Sequence, residues 1–127
     1  MKFEIDEIGT KTKIHNMTIV EAGKMREFST HEDMLYADFN FPAYNDDEMI
    51  SWYKIKTEKG KVLIAITDLY DNVVGYMTLR KINNLFKTSE MGIIIDPGKI
   101  NMGYGSDAIS RLKKWSVSYT HLRAHET

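Results

Sequence analysis

The 127-residue sequence predicts an α+β domain, a mostly antiparallel sheet with flanking helices. Three observations carry this: three strand-like runs follow one another through the middle of the chain, helix-spaced apolar residues lie on both sides of them, and 43% hydrophobic residues suffice for one core. Taken in order, residues 2–8 set Phe3, Ile5 and Ile8 among charges. Residues 13–19 alternate Ile14, Asn16 and Thr18 against His15, Met17 and Ile19, so both stretches read as short strands. Over 18–29, Val20, Ala22, Met25 and Phe28 are helically spaced, and Thr18 with Glu21 forms a capping box. Residues 31–44, with Tyr36, Phe39, Phe41, Pro42 and Tyr44, read as a loop or a broken second helix. Asn45, followed by Asp46, Asp47 and Glu48, opens a helix from 46 to about 57 that carries Met49, Trp52, Tyr53 and Ile55.

The period then changes. Residues 61–67 form a continuous β-branched run, residues 73–82 alternate, and Asp71-Asn72 turns one into the other. A third run, 88–95, follows Asn83-Asn84 and stops at Asp96-Pro97-Gly98, giving an antiparallel meander. After the glycines at 98, 103 and 105, residues 106–116 place Ala108, Ile109, Leu112 and Trp115 on one helical face, with Lys113 and Lys114 late, where cations suit the dipole. The last eleven residues, VSYTHLRAHET, show neither a helical stripe nor alternation.

Composition removes several classes of function. The 17 Lys+Arg nearly cancel the 18 Asp+Glu, so nothing pulls the chain toward nucleic acid or an anionic membrane. The absence of cysteine removes disulfides, thiolate nucleophiles and Cys-based zinc sites and suits a reducing compartment. Apolar runs such as 91–95 fall far short of the ~20 residues of a membrane helix. The acidic start MKFEIDEIGT lacks the features of a signal peptide, so a cytoplasmic location is the expectation.

The chemistry is concentrated in residues 90–108, where a strand runs through a turn into Gly103-Tyr104-Gly105 and on into a helix. Glycines admit a ligand close to the backbone, and the free N–H groups of a first helical turn suit a pyrophosphate. Gly-x-Gly before a helix is also what an ordinary tight connection looks like. A Rossmann loop would need a parallel βαβ unit and a later ribose-binding acid, and a Walker loop would need Gly-Lys-Ser/Thr; neither pattern is here.

Over roughly residues 12–115 the sequence resembles the GNAT superfamily of N-acetyltransferases, within the branch of ribosomal-protein alanine and spermidine acetyltransferases. The matching pieces are TKIHNMTI, the Trp52-Tyr53 helix end, LIAITDLYDNVVGYMTLRKIN and KTSEMGIIIDPGKINMGYGSDAI. The resemblance implies acetyl transfer from acetyl-CoA to a primary amine on a protein or polyamine. Ile93, Ile94 and Ile95 would offer backbone groups to the pantetheine arm, and the loop Ile100, Asn101, Met102, Gly103, Tyr104, Gly105 and Ser106 would wrap the pyrophosphate. Ile100 stands where Gln or Arg is usual, and Lys99 is a candidate for the missing charge. Glu90, at the start of the family's fourth strand, is the candidate catalytic base or water-positioning group; a solvated strand-edge glutamate is the plain alternative.

On this resemblance residues 1–115 are expected to form the N-terminal and central part of such a domain, with 116–127 expected to be a tail from outside the family. The family's last strands and helix, and the tyrosine that usually serves as its acid, are not matched, and Tyr119 is not assigned that role. A rival reading is therefore a truncated, inactive domain that only binds or oligomerises, including as a homodimer through an open sheet edge. His121 and His125, four apart, lack a third ligand, and no metal site is expected. His15 and His31 read as satisfied or surface histidines. Asp46, Asp47 and Glu48 suit a first helical turn better than a cationic substrate. The aromatic loop 36–44 suits packing and acceptor contact equally.

Overall fold

A computed structural model describes residues 4–32, 40–80 and 90–126, with side chains as far as Ser116. Five strands form one sheet in the order β1 (Asp6–Ile8), β2 (Thr12–Asn16), β3 (Lys61–Asp68), β4 (Val73–Arg80), β5 (Glu90–Ile95), and every neighbouring pair is antiparallel. Helices α1 (Ile19–Lys24) and α2 (Asp46–Lys56) connect β2 to β3, and α3 (Tyr104–Glu126) follows β5.

Local signals set most boundaries. Thr18 and Glu21 close a capping box on α1, and Asn45 and Glu48 close one on α2. The predicted single helix over 18–29 is shorter than expected: α1 stops at Lys24 and a 3-10 turn, Met25–Glu27, takes over. Gly23 weakens the helix here, and the chain turns extended at Phe28 (ψ 154°) so that its ring reaches the core. The β3–β4 turn puts Asp71 at φ 69°, a left-handed position that aspartate tolerates.

β3 lies at the centre of the sheet, and Leu63, Ile64, Ala65, Ile66 and Thr67 are all buried. That explains a continuous apolar run in an antiparallel strand, because helices cover both faces. On the α1–α2 face Leu63, Ala65 and Tyr76 meet Met17, Met25, Phe41 and Met49. On the other face Ile14, Ile64, Ile66, Val74 and Met77 meet Ala108 and Leu112 of α3. Phe41 is fully buried, with ring centroids 5.2 Å from Trp52 and 6.0 Å from Tyr76; among the described members of the aromatic loop, packing accounts for it. Tyr36 and Phe39 lie outside the described residues, as does the Asn83-Asn84 turn.

α3 differs from expectation at both ends. It begins at Tyr104 and runs to Glu126, through the stretch in which the sequence shows no apolar stripe. From Ser106 onward the sequence has no glycine or proline, so backbone propensity carries the helix on without an amphipathic pattern. Among the described residues no helix is long and apolar enough to cross a membrane.

Candidate functional site

β5 supplies one wall of the site. The Asp96 N–H donates to the Val74 carbonyl at 2.8 Å, and the register Tyr76↔Ile94, Met77↔Ile93, Gly75↔Ile95 follows from it. In an antiparallel ladder backbone groups alternate sides, so Ile94 faces its N–H and C=O toward β4 while Ile93 and Ile95 turn theirs to the far edge. That edge has no strand partner among the described residues. The side chains divide the other way: Ile94 packs on the α1–α2 core, Ile93 and Ile95 on the α3 core. Of the three predicted isoleucines, two therefore offer backbone and one offers packing.

Beyond Ile95 the chain crosses the end of the sheet. Asp96 is buried, and its Oδ1 accepts from Gly98 N–H at 3.0 Å and Ser29 N–H at 2.9 Å, which ties the loop to the end of the α1 segment. A 3-10 turn, Pro97–Lys99, leads into Asn101 (φ 65°) and Gly103 (φ 84°), two left-handed positions that bring the backbone round into α3. The first helical bond is Asp107 N–H to the Gly103 carbonyl, 3.1 Å, so the N–H groups of Tyr104, Gly105 and Ser106 have no intrahelical acceptor. Ile100 and Met102 expose their side chains to solvent. A Cβ on Gly105 would make an ordinary 3.6 Å contact with Ile95 Cγ1, whereas Gly103 needs glycine for its φ.

Two residues that the sequence reading missed hold this loop in place. The Asp107 carboxylate accepts from the Thr12 hydroxyl at 2.6 Å, the Thr10 hydroxyl at 2.7 Å, and the Thr12, Lys11 and Thr10 N–H groups at 2.9, 3.0 and 3.2 Å. Burial opposes its charge, but the hydrogen bonds from Thr12, Thr10 and Lys11 prevail and hold the carboxyl well below its ordinary range. The Lys11 ammonium donates to the Met102 carbonyl at 3.3 Å, so the cation at the loop comes from the β1–β2 turn. Near the same end of the sheet, burial would raise the Asp68 carboxyl, but hydrogen bonds from Asn72 and Tyr70, with a weaker attraction from Lys99, hold it low. Contacts separated by some 90 residues leave no local signature in sequence.

At the other end of β5 lies a second concavity, an open cleft of about 350 Å³ between the end of α2 and β3–β5. Lys61 pairs with Arg80 across β3–β4, and Arg80 with Glu90 across β4–β5, so these three share the α1–α2 face with Leu63, Tyr76 and Ile94. Lys56 closes the cleft from α2, and Thr78 and Gly92 line its floor. A Cβ on Gly92 would come within 2.9 Å of Thr78 Oγ1. Glu90 is exposed and stands in this cleft, at the opposite end of the strand from the glycine loop. Five steps of about 3.3 Å separate the two sites along β5.

The remaining candidates fall outside both sites. His15 Nε2 lies 2.6 Å from Glu21 Oε2, half-buried; that hydrogen bond and the Glu21 charge raise the imidazole against the opposing effect of burial. Asp46 pairs with Arg26, and Glu48 completes the α2 cap, which occupies both as first-turn acids. Among the described residues no group of His, Cys, Asp or Glu could hold a metal.

The fold has counterparts among solved structures. A GNAT acetyltransferase from Bacillus anthracis superposes with a TM-score of 0.71 at 15% identity, over 92% of this chain and 69% of that one. A Vibrio cholerae protein named for ribosomal-protein-serine acetylation gives 0.68 at 14%, over 94% and 70%. Spermidine N-acetyltransferase from Vibrio cholerae, in complex with CoA and spermine, gives 0.65 at 18%, over 87% and 66%, so the chain spans about two thirds of these structures. Comparison with curated protein sequences returns no match. The Acetyltransferase (GNAT) family model matches residues 27–125, most of the chain, and the protein belongs to that family.

Proposed function

We propose that this chain is an acetyl-CoA-dependent N-acetyltransferase acting on a primary amine, on a protein or a small molecule, in the cytoplasm. The observation that carries this reading is the run from a strand edge with no partner among the described residues into a left-handed loop and a helix start whose first N–H groups have no intrahelical acceptor. Ile93 and Ile95 present N–H and C=O groups along the edge, as an extended arm carrying amides requires. The Tyr104, Gly105 and Ser106 amides and the Lys11 ammonium gather positive potential at its end, as a pyrophosphate requires. Acetyl-CoA would supply an activated acetyl thioester: a C–N bond forms, the C–S bond breaks, the amine gives up a proton and the thiolate gains one.

Glu90 is the group this reading places to accept that proton, directly or through a water, because it stands in the cleft beside the strand edge. The test is thiol release from acetyl-CoA against a panel of amines, which the absence of cysteine leaves free of protein background. E90Q should lower kcat by about 10²-fold or more while acetyl-CoA still binds. An unchanged kcat would remove Glu90 from the mechanism.

One observation favours a binding role beside or instead of catalysis: β5 is a free edge among the described residues, with Met91 45% exposed on it. A chain that pairs through this edge would show concentration-dependent mass by light scattering, and acetyl-CoA would compete with the association.

A further inference from the structure

We infer that the acceptor amine carries an anionic group, a carboxylate or a phosphate, close to its nitrogen. This rests on the reading of the Glu90 cleft as the acceptor site. Among the described residues the cleft walls hold three cations, Lys56, Lys61 and Arg80, and one carboxylate, Glu90. Lys61 is partly committed, since its Nζ reaches Glu58 Oε2 at 3.1 Å and the Ile55 carbonyl at 3.4 Å. None of the ion pairs among the described residues takes up Lys56 or Arg80. Glu90 sits directly across from Arg80 in the β4–β5 register and yet makes no salt bridge with it. The register holds a carboxylate and a guanidinium side by side, the guanidinium without an ion pair among the described residues.

A protonated amine approaching Glu90 passes Arg80 and Lys56, and like charges at such range repel. A polyamine brings only further positive charge into that field. An amine with an anionic oxygen group resolves the conflict: the anion takes the planar donor fork of Arg80 with Lys56 behind it, and the nitrogen is left beside Glu90. Gly92 keeps the floor open, because a side chain there would run into Thr78.

Calorimetric titration of the full chain with four amines tests this without requiring turnover: 4-aminobutanoate, its amide, 3-aminopropyl phosphate and spermidine. At least one of the two anionic amines should bind about tenfold or more tightly than the neutral amide, with spermidine weakest, and added salt should narrow the gap. The carboxylate and phosphate arms distinguish the two sources of the anion. R80Q should remove most of the preference, and K56Q part of it, with thermal melts confirming that each variant folds. R80E should shift the order toward spermidine. Amide or spermidine binding as tightly as both anions, a preference untouched by R80Q, or no binding of any amine would overturn the inference. Failure of acetyl-CoA to bind would defeat the acetyl-transfer reading alone, since these amine titrations do not depend on it.

Discussion

Asp107 shows how much a single side chain decides in this protein. Its carboxylate gathers five hydrogen bonds from the β1–β2 turn and thereby fixes where α3 starts, and with it the amides that the proposed pyrophosphate site uses. Gly9 is part of the same device, because a Cβ there would lie 2.4 Å from Asp107 Oδ2. D107N keeps the shape but replaces one acceptor oxygen by an amide donor facing N–H donors, and we expect a loss of about 2 kcal/mol at neutral pH. The sign with pH follows from the depressed carboxyl. The folded state holds the charged form more tightly than the unfolded chain, so the contribution is complete above the ordinary value of 3.8 and is lost as pH falls below it. Urea melts of both proteins at pH 7 and pH 3 check this: the difference should be full at the first and measurably reduced, with the larger part still present, at the second. Sequence could not reveal this residue, because an aspartate early in a helix has a sufficient local explanation as a first-turn acid. The two capping boxes were legible for the opposite reason, since Thr18–Glu21 and Asn45–Glu48 complete their bonds within four residues.

Among the elements, β5 is the one on which both proposed sites depend, and its placement rests on Gly75 in β4. A Cβ at that position would fall 2.4 Å from the Ile94 carbonyl oxygen and 2.9 Å from Ile95 Cδ1. G75A should therefore cost about 1–3 kcal/mol of stability. It should also weaken acetyl-CoA binding, because Ile93 and Ile95 shift with the strand; thermal melts and a titration on the same sample separate the two effects. Strand period and turn residues made the meander readable: β4 and β5 lie within the predicted runs, and β3 passes its run by one residue, Asp68. What the runs cannot state is register. Lys61, Arg80 and Glu90 come together only because the pairing puts them in one row, and that row turns three scattered charges into a cleft. The length of α3 was unreadable for a related reason: without a stripe its last turns give no periodic signal, and nothing in the sequence stops them.

For the molecule as a whole, the two proposed sites are bordered by different faces of one sheet. α3 and its leading loop hold one side against Ile93 and Ile95, while α1 and α2 hold the other and border the Glu90 cleft. A strand that is an edge among the described residues and packs its half-buried Ile93, Ile94 and Ile95 on both faces can, in the proposed reading, guide an extended ligand between them. The glycine loop and the strand before it were readable in the sequence, whereas the contact of Lys11 with the Met102 carbonyl is long-range and only the fold supplies it. The measurement that tests the central claim most directly is calorimetric titration of the full 127-residue chain with acetyl-CoA and, in parallel, with S-acetylpantetheine, which lacks the pyrophosphate. The account predicts saturable one-to-one binding of acetyl-CoA, about tenfold or more tighter than that of the shorter thioester. Absence of binding, or equal affinity for the two, would contradict it.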